Sequence, residues 1–154
     1  MRRTFMLAAV LAVPMGADAA SPADCALLSR LATAAPAGFR QVPAADLRAA
    51  GVSSASVSRG TDGRPVWTGM LSGFAGRDAA ASVDQRMDAM AAAISTCVPG
   101  ARATGQGSAD GLAWRAYTLP NGARVELLRE SGTPSLPAHA GFLTMSAPAA
   151  FAGR

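Results

Sequence analysis

The sequence predicts an α+β domain: a mostly antiparallel sheet of four or five strands, with two main helices on one face, joined by a disulfide. Three observations lead there. Residues 21–34 and 76–98 carry apolar side chains at helical spacing. Asn121-Gly122 separates two alternating segments, the strongest short signal for a β-hairpin. The elements run helix, hairpin, helix, hairpin, strand, whereas a parallel α/β sheet needs helices alternating with single strands.

The chain opens with Met1-Arg2-Arg3, then an uncharged apolar run from Thr4 to Val13. Pro14 and Gly16 break that run, and Ala17-Asp18-Ala19 has the small-x-small form of a cleavage site. A basic start, an apolar centre and a small-residue exit make a secretory signal peptide over residues 1–19. The run is about half the length of a transmembrane helix. Residues 20–154 are then one small exported domain, with the periplasm or the extracellular space as its compartment.

The first helix is well marked. Ser21 caps it, Pro22 fits its first position, and Asp24 stands three residues after the cap. Pro36 and Gly38 stop it after about Ala34. Residues 43–50 suit a short helix ended by Gly51. Val52 to Arg59 reads as a polar edge strand, Gly60-Thr61-Asp62-Gly63 as a turn, and Arg64 to Leu71 as a stronger strand with Trp67 on its core side. The strongest helix follows, with Ala80, Val83, Met87, Met90, Ile94 and Cys97 forming its stripe and Pro99-Gly100 ending it. Residues 100–111 hold four glycines and read as a loop. The Asn121-Gly122 hairpin is flanked by Leu112–Leu119 and Ala123–Glu130. Residues 131–141, with Pro134, Pro137 and His139, read as a loop before a last strand at Phe142–Ser146.

Cys25 lies in the first turn of the first helix and Cys97 in the last turn of the second main helix. An oxidising compartment favours their pairing, and two cysteines allow one intramolecular bond. Their spacing excludes a C-x-x-C redox centre. The net charge is +4, all of the positive charge is arginine, and the arginines are scattered. Loss of residues 1–19 leaves about +3. No clustered basic footprint for nucleic acid results. Gly105-Gln106-Gly107 lacks the rest of either nucleotide-binding pattern, so no cofactor is expected.

Chemistry-bearing residues are few. His139 is the single histidine, too little for a multi-histidine metal centre, and no metal is expected. Asp84 and Asp88 are four apart on one helix face and read as solvated surface, with Arg77 and Arg86 to soften their repulsion. No serine stands in a G-x-S-x-G elbow. Trp67 and Trp114 are expected in the core. Tyr117 alternates with Trp114 and is expected on an open sheet face, where Arg115, Tyr117, Arg124 and Glu126, joined by Arg64, would form a polar-aromatic binding patch. The expected function is a non-catalytic periplasmic or secreted binding protein, of the inhibitor or immunity type, acting on another envelope or secreted protein. It would bind no nucleic acid and have no stable membrane insertion once the signal is cleaved. The alternative is a small extracellular hydrolase with His139 as general base.

Overall fold

A computed structural model describes residues 20–76, 78–133 and 136–149. The expected signal peptide and Arg77 lie outside the described residues. The elements are α1 (Pro22–Ala34), a 3-10 turn (Ala35–Ala37), α2 (Ala44–Ala49), β1 (Ser54–Arg59), β2 (Pro65–Ala75), α3 (Ala79–Cys97), β3 (Arg102–Ala109), β4 (Leu112–Thr118), β5 (Arg124–Thr133) and β6 (Leu136–Ser146). The strands form one sheet of order β1-β2-β6-β5-β4-β3, and every neighbouring pair is antiparallel. The predicted fold class is the observed one.

Local chemistry sets the helix ends. Ser21 Oγ accepts from the Asp24 N–H at 3.1 Å, satisfying one of the free donors of the first turn of α1. The Asp24 carboxylate does not return to the cap. It takes two hydrogen bonds from Arg86 of α3, at 2.9 and 2.6 Å, and is 3% exposed. Arg86 also donates to the Ala50 carbonyl at 2.8 Å, so one guanidinium ties α1, the end of α2 and α3 together. Cys25 and Cys97 are bonded with their Cα atoms 5.2 Å apart, which clamps the first turn of α1 to the last turn of α3.

Leu27, Leu28 and Leu31 of α1 and Val83, Met90 and Ile94 of α3 are fully buried, as are Val125, Leu127, Leu143 and Met145 of the sheet. Full burial of each such side chain stabilises the fold by about 1.5–3 kcal/mol. Trp67, 2% exposed, joins the same core. The register places Trp67 opposite Met145, Met145 opposite Val125, and Leu143 opposite Leu127, so all of these point to the helix side. At Gly141 a Cβ would stand 2.8 Å from Met87 Sδ and 3.3 Å from Val83 Cγ1, so this glycine lets α3 lie close on β6.

Three expectations are corrected. Residues 102–109 are not a loop but the edge strand β3, paired with β4 along its length. Their small side chains carry little intrinsic strand preference. What seats them is Trp114: a Cβ on Gly105 or Gly107 would stand 3.0 Å from its indole, so the two glycines make room for the ring. Residues 131–133 and 136–141 are also extended, because β5 and β6 continue their ladder to the pair Thr133–Leu136; Pro134 lies outside the described residues. The sheet therefore has six strands. The third correction concerns Trp114. It is half-buried, on the face away from the helices, and not in the core.

The Asn121-Gly122 turn forms as predicted, with Gly122 at φ 82° and Asn121 Oδ1 accepting from the Ala123 N–H at 3.0 Å. Asn121 Nδ2 donates to the Ala32 carbonyl at 2.8 Å, docking the hairpin on the end of α1.

Candidate functional site

The face of β4 that looks toward the helices is set by register. Tyr117 pairs with Val125 and Arg115 with Leu127, and both partners are core residues under the helices. Tyr117 and Arg115 therefore share the helix side, not an open face, and the Tyr117 ring packs partly buried against the core edge. The expectation failed because alternation assigns residues to two faces without saying which face is covered.

Helix α3 packs on β2, β6 and β5, and the sheet continues beyond it into β4 and β3. A twisted sheet that outruns its helix leaves a concavity at the helix flank. Here the concavity is a cleft of about 560 Å³ floored by Met87, Ala113 and Leu127. Asp84 and Asp88, one helical turn apart, line its helix wall, and Arg115 and Arg129 line its strand wall. Arg115 Nη1 lies 2.7 Å from Asp88 Oδ1, and Arg129 pairs with Asp84 and donates to Ser131 Oγ. The repulsion between the two aspartates is thus relieved from the sheet. Arg86, expected to relieve it, is committed to Asp24.

Arg129 retains only 22% of its side-chain surface, but the Arg115–Asp88 pair is exposed, at 46% and 65%. Such pairs contribute about 0–1 kcal/mol each. Arg115 can therefore exchange its aspartate for an incoming carboxylate at little cost, whereas half-buried Arg129 is held by Asp84 and Ser131. Burial raises the Tyr117 phenol above its ordinary range. The nearby Arg115 cation opposes that rise, and the Asp88 carboxylate adds to it.

The other predicted site residues lie elsewhere. Arg124 and Glu126 are on the opposite, helix-free face and pair with each other at 2.7 Å. Arg64 follows the β1–β2 turn. It donates to the Ala147 carbonyl at 3.2 Å and to Asp62 at 2.6 Å, and its hydrogen bonds to Asp62 hold that carboxyl below its usual range. The structure thus brings Arg115 and Tyr117 together and separates them from Arg124, Glu126 and Arg64. Arg129, with Asp84 and Asp88, joins the site unpredicted. The one available signal was the pair of like charges at helical spacing, which needs cations from another element.

His139 is not on a loop. It lies in β6 opposite Phe74 and Ser131, half-buried on the helix side. Its Nδ1 is buried with no hydrogen-bond partner among the described residues, and no ion pair joins it to a carboxylate there. A second cleft, of about 500 Å³, is lined by Asp24, Arg86, Leu71 and Ser72, whose Oγ also lacks a partner among the described residues. No three His, Cys, Asp or Glu side chains gather among the described residues to hold a metal ion. Among those residues no helix is long and apolar enough to cross a membrane. No protein-family model matches the chain, and no curated protein matches its sequence, so no family membership is assigned.

Proposed function

We propose that this chain is an exported, non-catalytic binding protein, of the inhibitor or immunity type, whose α3–β4 cleft receives a protruding segment of another protein. The observation that carries this reading is the pairing of Arg115 with Asp88 and Arg129 with Asp84 across an apolar floor. The solvent-exposed Arg115–Asp88 pair is exchangeable, and the apolar floor beside it rewards a partner that desolvates the site. The matching segment carries an apolar residue flanked by carboxylates. Tyr117, two residues from Arg115 on the same strand face, adds a half-buried aromatic ring beside the cleft. Residence in the periplasm or outside the cell rests on the basic, apolar and small-residue pattern of residues 1–19.

The hydrolase reading has weaker support. His139 sits within a central strand, and none of its described neighbours orients it as a general base.

The test is affinity capture from envelope extract with the oxidised mature protein, alongside an Arg115→Ala/Tyr117→Ala variant and an Arg124→Ala/Glu126→Ala variant. A stoichiometric protein is expected on the unmodified domain and on the second variant, released by salt and lost from the first. Retention by the cleft variant would move binding elsewhere. Absence of any partner, with a hydrolytic activity abolished by His139→Ala, would overturn the proposal.

A further inference from the structure

The helix-free face of the sheet has a composition that its edges do not explain. Reading across the strands in register, one row runs Ser54, Met70, Phe142, Leu128, Trp114, Gly107. The four large apolar side chains in this row are contiguous and only half-buried, and Leu112 beside them is 37% exposed. A single exposed apolar residue is ordinary, but a contiguous row across four strands marks a contact surface.

The charges on this face are divided by strand. The outward residues of β1, β2 and β6 in register with the row and its neighbours are serine, threonine, valine, methionine, phenylalanine, glycine and alanine. Every charge in those rows is on β5 and β3: Arg124, Glu126, Glu130 and Arg102. One half of the face is neutral and the other half is charged.

We propose that this face binds a second copy of the chain, two sheets packing face to face about a two-fold axis that runs parallel to the strands between β6 and β5. That axis lays β6 over β5, β2 over β4 and β1 over β3 of the other copy. Phe142 then meets Leu128 of the second copy, and Met70 meets Trp114. Leu112 meets Gly73, so a large side chain stands over a position with none. Each charge meets an uncharged group: Arg124 faces Ser146, Glu126 faces Thr144, Glu130 faces Ala140, and Arg102 faces Ser58. No like charges are opposed, and Glu126 enters already paired with Arg124. An axis perpendicular to the strands would instead set Glu126 over Glu130. An isologous contact must be self-complementary, and this arrangement is.

The area suffices. Six strands about 4.8 Å apart, over four rows about 6.8 Å apart, present at most roughly 780 Å² per copy, or about 1,600 Å² for the pair. That upper figure lies within the range of stable interfaces. Aligned sheet packing at about 30° is an established way to close such a face. The dimer leaves both α3 clefts on its outer surfaces, since they lie on the helix side.

Sedimentation of the oxidised protein from nanomolar to high micromolar concentration tests this. The expected result is a monomer–dimer equilibrium, with Trp114 emission shifting to the blue as dimer forms while Trp67, already in the core, does not change. Leu128→Arg should weaken association about thirtyfold or more, and Asp88→Ser, on the other side, should leave it unchanged. Should Leu128→Arg fail to fold, Thr68→Arg at the rim of the row decides in its place. A monomer throughout the range would overturn the proposal. So would a dimer that both face variants leave intact.

Discussion

Replacing Arg86 with methionine isolates Asp24, the most deeply buried charge among the described residues. The variant keeps most of the aliphatic bulk of the side chain and removes the guanidinium. Asp24 then remains 3% exposed with its two charge-assisted hydrogen bonds gone, and the Ala50 carbonyl loses a donor. Breaking one side of a buried ion pair costs about 3–5 kcal/mol, because the surviving charge keeps its desolvation cost without its partner. That is a large part of the whole stability of a domain this size, about 5–15 kcal/mol. Removing both charges with Asp24→Leu/Arg86→Met should recover most of the loss. The assay is urea unfolding at neutral pH with the disulfide intact, followed by tryptophan emission. A loss under about 1 kcal/mol in Arg86→Met, or a double variant no better than the single, would refute the argument. The first result would mean that water reaches Asp24 through the adjoining cleft, and the second that the loss comes from the Ala50 contact of Arg86 and not from the stranded charge.

Two further outcomes follow from the same geometry. The Cys25–Cys97 bond closes a separation of 72 residues, for which chain entropy gives about 4 kcal/mol, so a Cys25→Ser/Cys97→Ser variant should unfold at a correspondingly lower urea concentration. A midpoint unchanged within error would show that the unfolded chain is not restrained by this link. Tyr117 is the only tyrosine, so its ionisation is read directly by ultraviolet difference absorbance. Its phenol is raised in the fold, so its contribution to stability is complete below the ordinary tyrosine range and is lost as pH rises through the shifted midpoint. Asp88→Asn should lower that midpoint and Arg115→Ala should raise it; shifts of the opposite sign would show that these two charges do not act on Tyr117.

Much of the fold was legible because its signals are local. Ser21, Pro22 and Asp24 announce a helix start from adjacent residues, and Asn121-Gly122 requires a turn that few other pairs adopt. The stripe from Val83 to Ile94 demands a buried helix face whatever packs against it. Strand β3 was not legible, because Gly105 and Gly107 are glycines for the sake of Trp114 on the neighbouring strand. Read alone, they signal a loop. His139 was misplaced for the same reason: the ladder that extends residues 136–140 lies in the partners of β6, not in its own alternation.

The site shows the same division more sharply. By itself the sequence determined the fold class, the two cysteines positioned to clamp two helices, and the presence of Arg115 and Tyr117 on one side of a strand. Which side of the sheet the helices cover was decided only in three dimensions. Period-two alternation is symmetric between faces, and the symmetry is broken by where α1 and α3 pack. That choice put Arg115 into a cleft with Asp84, Asp88 and Arg129, set Tyr117 on the same side against the core edge, and left Met70, Phe142, Leu128 and Trp114 on the face away from the helices. Charge partners forty-five residues apart, such as Asp84 and Arg129, carry no mark in the chain because Coulomb attraction depends on distance in space and not along the backbone.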